Sequence, residues 1–196
     1  DVDRDELARR LVHVSGVWLP VSYLLGLVSW RELGYLLVLA ASAAFGLEVL
    51  RLRVGLDWPV LERVFDRLTR EYEQDNLAGY FLYLFSMALV AVFFSPRSAV
   101  PGMLMLAIAD PVSGLLGSGE LRAAKQGFVL LVTFGVSVLI ASFFVPPVPA
   151  VLGALAATLA DGVKPVVGGY VIDDNLSIPI AAACAIELGL RLPVGM

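Results

Sequence analysis

Three aspartates set in or beside apolar segments are the residues of this chain best suited to chemistry. They are Asp110 within Leu106 to Gly117, Asp161 at the end of Val148 to Asp161, and Asp174 in Asp173-Asp174-Asn175. A charge at mid-membrane costs about 2.5–3.5 kcal/mol on insertion scales, so such a carboxylate is expected to face a wet or cation-filled cavity rather than lipid. Carboxylates that gather raise one another's pKa unless a cation joins them. Asp110, Asp161 and Asp174 therefore make a candidate oxygen-ligand set for Mg2+ or another divalent cation, which takes one or two carboxylates and fills its shell with water and substrate phosphates. The plainer readings are that Asp174 or Asn175 caps the last helix and that Asp110 pairs with an arginine or lysine.

Around these acids lie residues suited to phosphate. Gly114, Gly117 and Gly119 are followed by Lys125 and Gly127; glycines let backbone amides approach phosphate oxygens, and a lysine adds a point charge. The run does not fit the Gly-x4-Gly-Lys-Ser/Thr P-loop. Arg9 and Arg10 lie within one helical turn of His13, the sole histidine, which is either a general base for a hydroxyl or an interfacial hydrogen-bonding partner. Glu48 and Arg51 stand at i and i+3, the spacing of a helix-end ion pair. Ala109-Asp110-Pro-Val112 and Ala160-Asp161-Gly-Val163 share Ala-Asp-x-Val-x4-Gly at an offset of 51 residues, which would set two carboxylates at similar depth.

The elements that must position these groups follow from composition. Of 196 residues, 59% are hydrophobic and 16% charged, against roughly 25% charged in a soluble domain. This predicts an integral membrane protein of a single domain spanning 1–196. The net charge of −4 says little about partners, and no nucleic acid is expected. The lone Cys184 excludes an internal disulfide and a Cys-based metal site. The charged start, Asp1 to Arg10, does not read as a signal peptide, so the first apolar run is expected to be retained.

A spanning helix needs about 20 mostly apolar residues. Seven segments come close: Leu11 to Trp30, Leu33 to Leu50, Leu77 to Ser95, Ala99 to Ser118, Gln126 to Val145, Val148 to Asp161, and Leu176 to Pro193. The sixth is short and rich in Gly153, Ala154, Ala156 and Ala157, which predicts an interior helix closely packed on its neighbours. The fold class is thus an all-α polytopic bundle of about seven transmembrane helices. Lys and Arg divide eleven against three between the two sides, which puts the N-terminus in the cytoplasm. The long connection, about 56–76, predicts an amphipathic cytoplasmic helix whose stripe of Val60, Leu61, Val64, Phe65, Leu68 and Tyr72 opposes a charged face.

With that orientation the polar residues gather at the cytoplasmic end: Arg9, Arg10 and His13; Glu48 and Arg51; Glu73; Asp110; Asp161 and Lys164; Asp173, Asp174 and Asn175. A transporter with a mid-bilayer pathway would spread such groups through the depth. The pattern predicts a site opening to the cytoplasm, although a small transporter or ion-binding membrane protein remains the reading from another class.

The order Arg9-Arg10-Leu-Val-His13-Val-Ser-Gly16, Glu48-Val-Leu-Arg51, Glu71-Tyr-Glu73 ahead of Gly79, Ala109-Asp110, Lys125-Gln-Gly127 and Asp173-Asp174-Asn175-Leu-Ser-Ile-Pro179 resembles the family of dolichol kinases, phytol kinases and CTP-dependent diacylglycerol kinases. The resemblance covers almost the whole chain, and its most specific part is the closing Asp-Asn-Leu-x-x-Pro. It implies a multi-pass enzyme that uses CTP and a divalent cation to phosphorylate a lipid alcohol. Asp110 and Asp174, with His13, would then be catalytic, and Arg9, Arg10, Gly117, Lys125, Gly127 and Asn175 would bind CTP. The family is distantly similar to phosphatidate cytidylyltransferases, so cytidylyl transfer to a lipid phosphate is the nearest alternative. Ala109 stands where the family usually has glycine, Asp161 where it commonly has glutamate, and Lys125-Gln126-Gly127 lacks the family's serine and acid.

Overall fold

The computed structural model describes residues 10–54, 76–117, 126–167 and 170–192. The amphipathic segment expected at about 56–76 lies almost wholly outside these residues, as do Arg9, Glu73 and Lys125. What is described is all-helical apart from one two-residue antiparallel pair. The helices are α1 (Trp18–Leu24, preceded by helical turns from residue 10), α2 (Trp30–Val49), α3 (Gly79–Phe93), α4 (Pro96–Leu116), α5 (Gly127–Ser142), α6 (Pro147–Gly162) and α7 (Asp174–Arg191). The pair is β1 (Val166–Val167) with β2 (Tyr170–Val171).

All seven apolar segments are helical, with shifted ends. The first was expected to reach Trp30. Instead α1 ends at Leu24, Gly26 turns the chain at a φ of 70°, and Trp30 opens α2. Local chemistry decides this boundary. The left-handed φ suits glycine, and Ser29 with Glu32 forms a capping box in which each side chain accepts the other's backbone N–H. At the far end, α7 begins at Asp174, and Asp173 is its N-cap through a hydrogen bond accepted from Asn175 N. The cap is therefore one residue upstream of the two expected.

Among the described residues, two helices are long and apolar enough to cross a membrane: α2 with the π turn Leu50–Val54 that continues it, and α4. Their surroundings differ, since 67% of the 18-residue apolar stretch of α4 is buried and 33% of that of α2. α4 is the centre of the bundle, touched by α1, α3, α5 and α7. The α6–α7 interface is the most extensive, and α2 packs outside α3. The core runs through Leu37, Met87, Met103, Leu106, Ile178 and Ile186. At Gly102 an added Cβ would come 2.8 Å from Pro179 O, so α4 and α7 meet backbone to backbone and only a small residue fits.

Candidate metal and phosphate site

Asp110, Asp161 and Asp174 converge from three helices, with one oxygen of each lying within 4.8 Å of the others. Each arrives by a different device. On α4, a π turn at Met105–Ala109 precedes Asp110, and Pro111 follows it. Asp161 is the next-to-last residue of α6, and Asp174 the first of α7. The connection between those two is drawn short by the β1–β2 pair and by Ile172 N donating to Pro165 O at 2.9 Å. That closure brings back together two carboxylates that point from antiparallel helix ends.

Side chains around the trio fix its oxygens. Ser113, one turn after Asp110 and on the same face, donates to Asp161 Oδ2 at 2.6 Å and ties α4 to α6. Lys164 Nζ lies 2.8 Å from Asp174 Oδ2. His13 Nε2 lies 3.4 Å from Asp110 Oδ2. Arg10 Nη2 donates to Gly114 O at 3.0 Å, which places a guanidinium on the same helix one turn beyond Asp110. Asp161 and Asp174 are 1% and 4% exposed, whereas the Asp110 and His13 side chains keep 16% and 17%. Asp110 is thus the most exposed acid of the trio, and it faces His13.

Asn175 serves the loop as well as the helix. Its side-chain Nδ2 donates to Asp173 Oδ1 at 2.6 Å, and its backbone N to the same atom at 2.9 Å. Burial, followed by the neighbouring Asp174, pushes the Asp173 carboxyl up to about 6, against the pull of Lys164 and the Asn175 hydrogen bonds. Pro179 cannot donate to Asn175 O, its partner four residues back. Ser86 of α3 donates to that carbonyl instead, at 2.6 Å, and anchors the first turn of α7.

Not every expected residue joins the trio. Glu48 and Arg51 build the α2–α3 junction: Arg51 donates to both Glu48 oxygens (Nε 3.1 Å, Nη2 2.8 Å), Ala78 N donates to Glu48 Oε2 at 2.9 Å, and Tyr80 OH donates to Oε1. Gly117 closes α4 as its C-cap, and the exposed Gly127 opens α5. Ser113, Ser86 and Tyr83 had no assigned role in the sequence reading. For Ser113 the signal was present, because it stands at i+3 from Asp110.

The donor set suits a hard divalent cation. Magnesium binds oxygens at about 2.0–2.1 Å in an octahedron, so its ligands stand roughly 3–4 Å apart. Carboxylate oxygens within 4.8 Å allow direct ligation by some and ligation through water by the rest. Comparison of the chain with protein-family models, curated proteins and solved structures gave no match.

Proposed function

We propose that this chain is a seven-span membrane phosphotransferase that moves the γ-phosphoryl group of CTP to the hydroxyl of an isoprenoid or related lipid alcohol at the cytoplasmic face. The observation that carries the reading is the convergence of Asp110, Asp161 and Asp174. Acids from three separate helices were drawn to one point although burial and mutual repulsion both oppose it. The resemblance to the dolichol and phytol kinase family supplies the substrate class, the nucleotide and the further phosphate-binding residues Arg9 and Lys125.

Spanning is supported by what the helices expose. Trp18, Leu39, Phe93, Leu115, Leu131, Leu159 and Leu188, one on each helix, are all more than half exposed, an arrangement that hydrocarbon satisfies and water does not. In this reading the N-terminus is cytoplasmic and the trio lies at the cytoplasmic ends of its helices.

Phosphoryl transfer asks for alignment and charge neutralisation more than covalent chemistry. Asp110, Asp161 and Asp174 would hold Mg2+. When bound, that ion offsets the charge that develops on phosphoryl oxygens. Lys164, held at Asp174, and Arg10, held at Gly114, stand beside the trio and contribute positive charge for the triphosphate. The lipid hydroxyl would approach on the α1 side, where Asp110 and His13 retain exposure, while its tail stays in hydrocarbon. A bond forms from the lipid oxygen to the γ-phosphorus, the bond from that phosphorus to the β-phosphate oxygen breaks, the hydroxyl proton passes to solvent water, and CDP leaves.

The purified chain, given Mg2+, a polyprenol and CTP labelled at either the α- or γ-phosphate, should put γ-label alone into lipid. Label from the α-phosphate, appearing when a lipid phosphate is supplied, would reassign the site to cytidylyl transfer. Absence of both labels would sink the nucleotide reading and leave an ion-binding membrane protein.

A further inference from the structure

The helix ladder breaks beside Asp110 in a way that frees one carbonyl. Asp110 N donates to Met105 O, five residues back, and closes the π turn. In an α-helix that N–H would serve Leu106. In the π register the donor for Leu106 would be residue 111, which is proline and has no N–H. Two successive residues thus withhold their hydrogen bonds from Leu106 O, and Leu106 is fully buried. A buried carbonyl needs a donor, and His13 Nε2 stands 2.8 Å from it, reaching over from the turn ahead of α1. Pro179 and Ser86 repeat this arrangement at Asn175 O.

A carbonyl oxygen can only accept, so His13 Nε2 must carry a proton, and in the neutral ring Nδ1 is the acceptor. The nitrogen facing Asp110 at 3.4 Å is therefore a donor. Tyr83 braces the residue from behind: its OH donates to His13 O at 3.1 Å, and its ring meets the imidazole edge-on with centroids 4.7 Å apart. Gly16 admits Tyr83, since a Cβ there would collide with the phenol.

We infer that His13 is a positioning residue, locked as the Nε2–H tautomer by the Leu106 carbonyl that the π turn and Pro111 release, and that it orients the Asp110 carboxylate instead of accepting a proton at Nε2. The consequence for cation binding rests on the proposed role of the trio. The tautomer does not.

His13 is the sole histidine, so the full chain carrying 15N-histidine in detergent or bilayers gives one imidazole spectrum without nucleotide or metal. Nε2 should appear as the protonated nitrogen and Nδ1 as the bare one; an Nδ1–H tautomer, or averaging between the two, overturns the inference. Pro111→Ala restores an N–H that competes for Leu106 O, and should move the spectrum toward tautomer averaging; an unchanged spectrum in the folded variant refutes the released carbonyl. Mn2+ affinity of the full chain, read by electron paramagnetic resonance, tests the positioning role. His13→Ala should weaken it about 10–100-fold, as loss of a group orienting a ligand does. His13→Gln, whose amide can donate to Leu106 O, should restore most of it. Equal loss in both variants overturns positioning by Nε2–H, whereas no Mn2+ binding by the unaltered chain overturns the cation reading of the trio and leaves the tautomer result to decide the placement of His13.

Discussion

Glu48 and the trio of Asp110, Asp161 and Asp174 are acidic and mostly buried, yet their surroundings differ in kind. Each oxygen of Glu48 accepts two donors, Oε1 from Arg51 Nε and Tyr80 OH, Oε2 from Arg51 Nη2 and Ala78 N. A carboxylate has about four acceptor sites, so Glu48 is saturated, and one guanidinium balances its charge. At the trio the acids face one another: His13 lies toward Asp110, Ser113 donates to Asp161, and Lys164 and Asn175 N reach Asp174, while one oxygen of each acid lies within 4.8 Å of the others. Three like charges remain crowded together. A saturated acid holds two helices in register, and under the proposed function the crowded ones hold a cation. The distinction lies in whether an acid faces a guanidinium or other acids, since burial alone would rank Glu48 first.

The largest effect should separate the two centres by turnover. Asp110→Asn keeps size and loses charge, and should lower CTP-dependent transfer by about 10²–10³-fold or more, the scale of removing one charge-stabilising group. Asp161→Asn and Asp174→Asn should behave alike, with the protein still folded in detergent. Glu48→Gln should leave turnover per folded molecule within a few-fold. Full activity in any of the three asparagine variants, measured with γ-labelled CTP, would break the comparison at its functional side.

Stability should separate them in the opposite sense. Glu48→Leu takes the shared carboxylate acceptor away from the Arg51 guanidinium, the Ala78 N–H and the Tyr80 hydroxyl at the α2–α3 junction. Removing one partner of a buried pair costs about 3–5 kcal/mol; the partial exposure of the Arg51 side chain, 12%, argues for the lower figure. Glu48→Gln, which still accepts, should lose less. Thermal midpoints in detergent measure both, and equal midpoints for Leu and the unaltered chain would mean that the node holds nothing.

Cation binding supplies a third contrast. A ligand that binds only the folded state adds about 2.7 kcal/mol at 100 times its dissociation constant. Mg2+ should therefore raise the midpoint of the unaltered chain and of Glu48→Gln, but not that of Asp161→Asn. Without metal, Asp161→Asn should be no less stable than the unaltered chain, because the amide oxygen still accepts from Ser113 and a like charge is gone. A metal-independent loss of stability in Asp161→Asn would place Asp161 with Glu48 as a structural acid.

The two centres were unequally legible in the sequence. All seven helical segments were visible in hydropathy, because a run of apolar residues is a local property. The trio was visible as three acids in an apolar chain, Asp110 within the fourth segment and Asp161 and Asp174 at segment ends, which topology brings to one side. Glu48 with Arg51 was visible only as an i, i+3 pair. Its other donors, Ala78 N and Tyr80, lie about 30 residues away, and no local pattern points to them. The π turn was equally hidden, since Pro111 following Asp110 reads as an ordinary first-turn proline until the register of Met105–Ala109 is known. At the break at Gly16 and Val17, Tyr83 fills the space that a Cβ at Gly16 would take, again a distant partner.

The smallest expected effect lies at the edge of the trio and sharpens where it ends. Asp173 caps α7 and accepts both Asn175 donors, and burial with the adjacent Asp174 makes its charge unfavourable. Asparagine caps a helix as well as aspartate does, so Asp173→Asn keeps the turn and removes the charge. The stability in detergent, read from the midpoint, should change by no more than about 0.5 kcal/mol, upward. The Mg2+-induced rise should survive, because the carboxylates that converge are those of Asp110, Asp161 and Asp174. If Asp173→Asn abolished that rise, the cation would be held by a fourth acid, and the line between cap and ligand would have to be drawn one residue earlier.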